Sequence, residues 1–90
     1  MAIVAEFNIP GMTADQYDRV LQELEAKGVE APEGRIFHVA APTDTGWFVV
    51  DVWESEEHFG RFGETLIPVL VAAGVTPVQP EIRPVHNTMT

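Results

Sequence analysis

The segment at residues 46–53, GWFVVDVW, constrains the fold of this chain more than any other segment. Its β-branched and aromatic residues predict a strand. A strand exposed on one side alternates apolar and polar residues, but here both alternating faces are largely apolar. They carry Phe48, Val50 and Val52 on one side, and Trp47, Val49, Asp51 and Trp53 on the other. One face therefore has to cover helices, and the other a further layer, for which a second sheet is the natural candidate.

A first strand, at residues 2–9, precedes a helix with clear boundaries. Thr13 and Gln16 form a capping-box pattern at its start, and Gly28 is placed to end it. The apolar residues between them recur at helical spacing: Tyr17, Val20, Leu21 and Leu24. The pattern predicts a helix with one buried stripe.

A β-hairpin and a second helix follow. A compact turn at residues 42–46 joins a strand at residues 35–41 to the strand described above. Ser55 is an N-cap for the second helix, and Gly74 ends it.

The predicted last strand, residues 76–85, is an edge strand. Pro80 and Pro84 have the same parity, so one side of this strand lacks amide donors and cannot recruit another strand. The order β-α-β-β-α-β predicts an α+β fold of the ferredoxin-like type, a four-stranded antiparallel sheet with two helices on one face. A dimer should then form face to face between sheets rather than through this edge.

The size of the chain also favours a homodimer. Its 90 residues form one domain, residues 1–90, and 46% of them are hydrophobic. A domain this small has an unfavourable ratio of surface to volume. So much apolar material favours extra burial against a second copy, although a dense monomeric core is the alternative.

The net charge of −9, from 14 acidic and five basic residues, argues against binding nucleic acid or a membrane surface. The chain contains no cysteine, which removes disulfides, thiol nucleophiles and thiolate metal sites. No signal peptide and no apolar run of membrane-spanning length is visible. We therefore expect a cytoplasmic protein.

The order of elements, the segment GWFVVDVWESEEHFGRF and the ending PEIRPVHN are similar to those of small dimeric α+β barrel proteins. The resemblance extends from Ala2 to Asn87. That superfamily includes cofactor-independent monooxygenases of the antibiotic-biosynthesis type, haem-degrading monooxygenases, polyketide cyclases, isomerases and proteins with no known reaction. The resemblance implies that two sheets pair face to face into a barrel, with a pocket in each subunit between sheet and helices.

The haem-degrading members of this superfamily provide a test of cofactor use. They carry an Asn in the first strand and a Trp and a His along the second helix. The corresponding positions here are Phe7, next to Asn8, then Phe62 and about Ala72. Because the His ligand is missing, the resemblance argues against haem, and we expect no cofactor.

His38 and Asp51 are the first candidates for catalysis. Each is a polar residue in an apolar strand, where an imidazole suits general acid or base chemistry and a buried carboxylate needs a partner. If the hairpin pairs Pro42 with Trp47, His38 shares a face with Asp51, whereas a slip of one residue separates them. We expect the first register because clustering polar groups lowers the cost of burial. Structural roles for both residues are the alternative.

Tyr17 is the third candidate, because it lies on the buried stripe of the first helix, where its hydroxyl could stabilise an oxyanion. The alternative is a core tyrosine with a satisfied hydroxyl. The histidines lack metal-ligand spacing, so no metal site is expected. Four aromatic residues could line a ligand pocket, and plain core positions are the alternative for all of them: Trp47, Trp53, Phe59 and Phe62. The tail residues His86 and Asn87 would ordinarily be exposed and inert, but the resemblance suggests that they fold over the pocket or the partner.

Two functions remain open. The first is a cofactor-independent enzyme, of the monooxygenase or cyclase type, that acts on an aromatic or polyketide-like small molecule with His38 as base. The second is a non-catalytic dimeric protein that binds a small apolar ligand or acts as an accessory. An open cavity of roughly several hundred Å³ beside His38 would favour the first function, and a packed interior the second.

Overall fold

The computed structural model describes residues 1–89, which form four strands and two helices in the predicted order. The α+β architecture predicted from the sequence is thereby confirmed. The elements are β1 (Ile3–Pro10), α1 (Ala14–Ala26), β2 (Arg35–Pro42), β3 (Gly46–Trp53), α2 (Glu56–Ala72) and β4 (Glu81–Pro84).

The four strands form one antiparallel sheet in the order β2-β3-β1-β4. The longest ladder joins β1 to β3, from Ile3 opposite Trp53 to Pro10 opposite Gly46. Alternate residues of these two strands share a core with both helices, in which Trp53 is fully buried. One face of the sheet is therefore covered by α1 and α2.

The two helix starts follow the sequence closely. Thr13 and Gln16 form the complete capping box of α1, with each side chain bonded to the other residue's backbone N–H. The Gln16 side chain also donates to the carbonyl of Ala73, just beyond the end of α2, at 3.4 Å. Ser55 caps α2 by accepting from the His58 amide. Gln16 of this capping box thus also links the start of α1 to the end of α2.

The hairpin adopts the register that brings His38 opposite Asp51, because its turn pairs Pro42 with Trp47. At the far end of the same ladder the register shifts between Arg35 and Phe37, which is the signature of a β-bulge. The bulge places Arg35 opposite Trp53, an inward-facing residue.

The last strand is shorter than predicted. The sequence predicts residues 76–85, but only Glu81–Pro84 pair with β1. Pro77 and Pro80 fix the backbone dihedral and remove amide donors, which disfavours a ladder, and residues 75–80 instead line a groove beside α2. The edge position of β4 is confirmed, and the Val85 amide continues the contact with β1 by donating to the Ala2 carbonyl at 3.0 Å.

The other face of the sheet carries no helix, and apolar side chains on it are exposed. Phe37 is 56% exposed and Val39 is 44% exposed, both on β2. Phe48 and Val50 of β3 share this face with them and are only partly buried. Among residues 1–89, no helix has the length and apolar character needed to cross a membrane.

Candidate active site

Three polar side chains from three elements form one hydrogen-bonded chain on the helix-covered face of the sheet. The Tyr17 hydroxyl on α1 lies 2.6 Å from Nε2 of His38 on β2. Nδ1 of His38 lies 2.5 Å from Oδ1 of Asp51 on β3. The structure therefore brings together the three residues that the sequence singled out for catalysis; their catalytic role remains a prediction.

Local packing fixes the orientation of this chain. His38 and Asp51 are directly opposite each other in the β2–β3 ladder. Tyr17 lies in the first turns of α1, where its ring stacks on the His38 ring with an interplanar angle of 4°. The Trp47 ring packs against Tyr17 at 5.1 Å between centroids. Aromatic packing thus holds the hydroxyl at the imidazole.

The direction of the hydrogen bonds follows from the donor inventory. A carboxylate only accepts, so with Asp51 ionised the Nδ1–H of His38 donates to it. Nε2 of His38 is then an acceptor, and the Tyr17 hydroxyl donates to it. The side chain of Asp51 is 8% exposed and that of His38 is 25% exposed, so the imidazole is the member of this pair that solvent reaches more readily. This tautomer is assigned from the hydrogen-bond pattern.

The pKa of Tyr17 is raised above its ordinary value of 10.0. Burial is the largest cause, because it disfavours the charged phenolate. The Arg35 guanidinium opposes this shift, while Asp51 and Asp18 add to it. Tyr17 is therefore a neutral phenol at neutral pH and can act as a hydrogen-bond donor.

The three residues line a small cavity between α1, α2 and the sheet, with a volume of about 70 Å³. An apolar cavity of about 150 Å³ is the size that holds a benzene ring. At about 70 Å³ the cavity holds little more than water, and an aromatic ligand has to displace side chains. Its other lining residues are mostly apolar, namely Phe7, Ile9, Met12, Val20, Leu21, Leu24, Arg35, Val49, Phe62, Leu66 and Leu70.

The predicted pocket residues take different positions. Phe62 lines the cavity. Trp47 is not among the lining residues, but its ring packs against that of Tyr17, which is. Trp53 lies in the core, and Phe59 faces a second groove, of about 400 Å³, between α2 and residues 75–80. His86 and Asn87 are exposed and are not among the residues that line the cavity.

Sequence reasoning missed Arg35 as a site residue. Arg35 lines the cavity, but strand parity places it on the face opposite His38. Only the β-bulge brings Arg35 to the inner face, and the residue pattern of the strand does not predict that bulge. Phe7, at the position compared with the Asn of the haem-degrading proteins, also forms part of the cavity wall.

No group of three or more potential metal ligands from His, Cys, Asp and Glu occurs within residues 1–89. The donors of the site are a phenol, an imidazole and one carboxylate. These groups are suited to moving a proton.

No protein-family model matches the chain, and no curated protein matches it. Solved structures do match it in fold. One is SnoaB, a cofactor-independent oxygenase from Streptomyces nogalater, with a TM-score of 0.63 and 15% identity over 98% of this chain and 94% of that chain. A mutant of SnoaB matches with a TM-score of 0.62 and 16% identity.

A candidate antibiotic biosynthesis monooxygenase from Deinococcus radiodurans also matches, with a TM-score of 0.61 and 13% identity over 100% of this chain and 97% of that chain. The chain therefore shares the α+β fold of these proteins. The resemblance stated from the sequence is thus confirmed at the level of fold. Identities this low show the fold alone, so a function has to be argued from the residues of the site.

Proposed function

We propose that this protein is a cofactor-independent enzyme, of the monooxygenase or cyclase type, that removes a proton from an aromatic or polyketide-like small molecule. The observation that carries the proposal is the Tyr17–His38–Asp51 hydrogen-bonded chain facing an otherwise apolar cavity. Such an arrangement of an acceptor, an imidazole and a hydroxyl is suited to general acid and base catalysis.

The geometry assigns a role to each group. Asp51 holds the His38 tautomer and stabilises the imidazolium that forms when Nε2 gains a proton. Because Nε2 is bonded to the Tyr17 hydroxyl, the phenol oxygen can take the substrate proton while its own proton passes to His38. The neutral Tyr17 side chain can then donate a hydrogen bond to the oxyanion of the deprotonated substrate.

Two reaction types can follow from the carbanion. In the monooxygenase type, the carbanion adds to O₂, and the peroxide anion takes back the proton that His38 holds. Loss of the second hydrogen of that carbon with cleavage of the O–O bond then leaves a carbonyl on the substrate and releases water. In the cyclase type, the carbanion attacks a carbonyl carbon of the same molecule, and the resulting alkoxide takes the proton from His38. The likeness to SnoaB, a cofactor-independent oxygenase, supports the first type.

The size of the cavity supports the second function, a non-catalytic binding or accessory protein. A volume of about 70 Å³ is well below that of an open ligand pocket. In this reading the Tyr17–His38–Asp51 chain only satisfies buried polar groups. The two functions differ in whether substrate is converted.

We also propose that the active form is a homodimer. The helix-free face of the sheet exposes apolar side chains, including those of Phe37 and Val39. A second copy of the same face would bury them, and it would leave the cavity free because the cavity lies on the opposite face.

The test is oxygen uptake and product analysis with anthrone and benzoylacetone, without added cofactor and in the presence of EDTA. We expect the wild type to convert at least one of them and His38→Gln to lower turnover at least about a hundredfold, as for loss of a general base. His58→Gln is the matched control, because His58 lies at the start of α2 and bonds to Ser55.

Full turnover by a folded His38→Gln variant would show that the base assignment is wrong. A wild type that binds these compounds without converting them would favour the non-catalytic function. Circular dichroism of each variant checks that the fold is retained.

A further inference from the structure

The β-bulge at the start of β2 directs the positively charged side chain of Arg35 towards the candidate active site. Without it, the alternation that places His38 on the inner face would place Ile36 there and Arg35 outside. With it, Arg35 lies opposite the inward-facing Trp53 and lines the cavity, while Ile36 is 58% exposed. Bulges are often found beside active sites, where they re-aim a side chain.

The Arg35 guanidinium is held in place without a carboxylate partner. Its Nη2 donates to the Glu30 backbone carbonyl at 2.9 Å, and its central carbon lies 6.0 Å from the centre of the Phe62 ring. Within residues 1–89, no carboxylate oxygen lies within 4.0 Å of it, although the chain has 14 acidic residues. Arg61 and Arg83, by contrast, are paired with Glu57 and Glu81.

We propose that Arg35 is an anion-binding residue of this site and that the protein selects small aromatic molecules carrying a delocalised oxyanion, either a carboxylate or an enolate or phenolate. A guanidinium presents several N–H donors in one plane and matches such an oxyanion in two-point contact. Arg35 is partly exposed, so the anionic group of a ligand can stay near solvent while its ring displaces apolar side chains that line the cavity.

The position of Arg35 gives it a second effect on the proposed reaction. Its charge acts on the Tyr17 hydroxyl and lowers the pKa of that phenol against the larger effect of burial. The same charge stabilises an anion that forms on a substrate beside Tyr17. Arg35 therefore binds an anionic substrate and favours the loss of its proton. This second effect rests on the proposed function, whereas anion binding does not.

The test is a binding titration with two probes that share a ring and differ in charge, benzoate and benzyl alcohol. Binding is followed from the NMR signals of the His38 ring in nitrogen-labelled protein. Arg35→Gln removes the charge, Arg35→Lys keeps it without the planar donors, and Arg19→Gln is the control. Arg19 is exposed on α1 and is not among the residues that line the cavity.

We expect the wild type and Arg19→Gln to bind benzoate more tightly than benzyl alcohol. Arg35→Gln should weaken benzoate binding at least about tenfold, the loss expected for a charged hydrogen bond, and Arg35→Lys should weaken it less. Binding of benzyl alcohol should change less than about twofold in every variant, which excludes a general loss of structure.

The proposal is overturned if the wild type does not bind benzoate, if Arg35→Gln binds it normally, or if both probes lose affinity equally. These outcomes are separable from failure of the proposed function. Charge-selective binding by Arg35 without conversion of any substrate would contradict the enzyme alone. Conversion of neutral compounds without selection for anions would contradict this inference alone.

Discussion

Tyr17 is the only tyrosine in the chain, so the ultraviolet absorbance of tyrosinate reports on this one phenol. We expect its titration midpoint in the folded protein to lie above 10.0, because burial raises its pKa. In denaturant the midpoint should fall to about 10. A native midpoint at or below the denatured one would show that the hydroxyl is solvated and does not lie against His38 in a buried site.

The same pKa shift gives the direction of a stability change. The folded-state pKa of Tyr17 is raised, so its contribution to stability is fully present below the unfolded pKa of 10.0 and is lost as pH rises through the folded pKa. The free energy of unfolding of the wild type should therefore fall over this alkaline range. Tyr17→Phe has no ionisation here, and its stability should fall less steeply in parallel chemical denaturations.

The sequence predicts a site residue where a strand or helix pattern alone determines the direction of its side chain. His38 and Asp51 were predictable because each interrupts an apolar strand, and one hairpin register decides whether they meet. Tyr17 was predictable from its helical stripe. Arg35 was not, since the bulge that re-aims it depends on tertiary packing. The cavity volume was also beyond prediction, because it depends on how the side chains of four elements fill the space between them.

Two glycines show what fixes the elements around the site. A Cβ added at Gly46, the first residue of β3, would lie 2.1 Å from the Ile9 carbonyl oxygen, a backbone atom that cannot move away easily. Gly60 on α2 has no atom within 4 Å of an added Cβ. The β1–β3 ladder therefore requires a residue without a side chain at Gly46, whereas α2 does not require one at Gly60.

We expect Gly46→Ala to lower the free energy of unfolding by about 2 kcal/mol or more, as overpacking does. Gly60→Ala should raise it by about 0.5–1 kcal/mol, because alanine favours the helix interior. Urea denaturation of both variants beside the wild type measures these changes. Equal effects of the two substitutions would mean that the close approach of β1 to Gly46 is absent in solution.

The element boundaries were readable where local chemistry decides them. The capping box at Thr13, the cap at Ser55 and the turn at residues 42–46 each depend on a few neighbouring residues, and all three are present. The last strand was overpredicted because residues 76–80 look extended. Extended chain becomes a strand only when a partner offers a ladder, and here Pro77 and Pro80 direct the segment along α2 instead.

At the scale of the whole molecule, the two faces of the sheet differ in what covers them. The inner face is covered by both helices and carries the core and the cavity. The outer face has apolar residues but no covering element within residues 1–89. Contiguous exposed apolar surface of this kind is typical of interaction sites. Because Pro84 removes an amide donor from the outer side of β4, this edge is a poor surface for a second copy, and we expect the outer face to form the interface.

One charged residue on the outer face should therefore be enough to prevent dimerisation. Val39 lies on this face of β2 and is 44% exposed, while Val71 lies on α2 and is 59% exposed. We expect the wild type and Val71→Asp to be dimers in sedimentation equilibrium, and Val39→Asp to be a monomer, because an unpaired carboxylate is costly to bury in an apolar interface. Both variants add the same charge to an exposed valine, so net charge is matched.

A monomeric wild type would contradict the proposed dimer, and dissociation by Val71→Asp alone would show that the interface lies on α2. The predicted result also separates assembly from binding: since the cavity opens on the other face, Val39→Asp should still bind benzoate if each subunit holds a complete site.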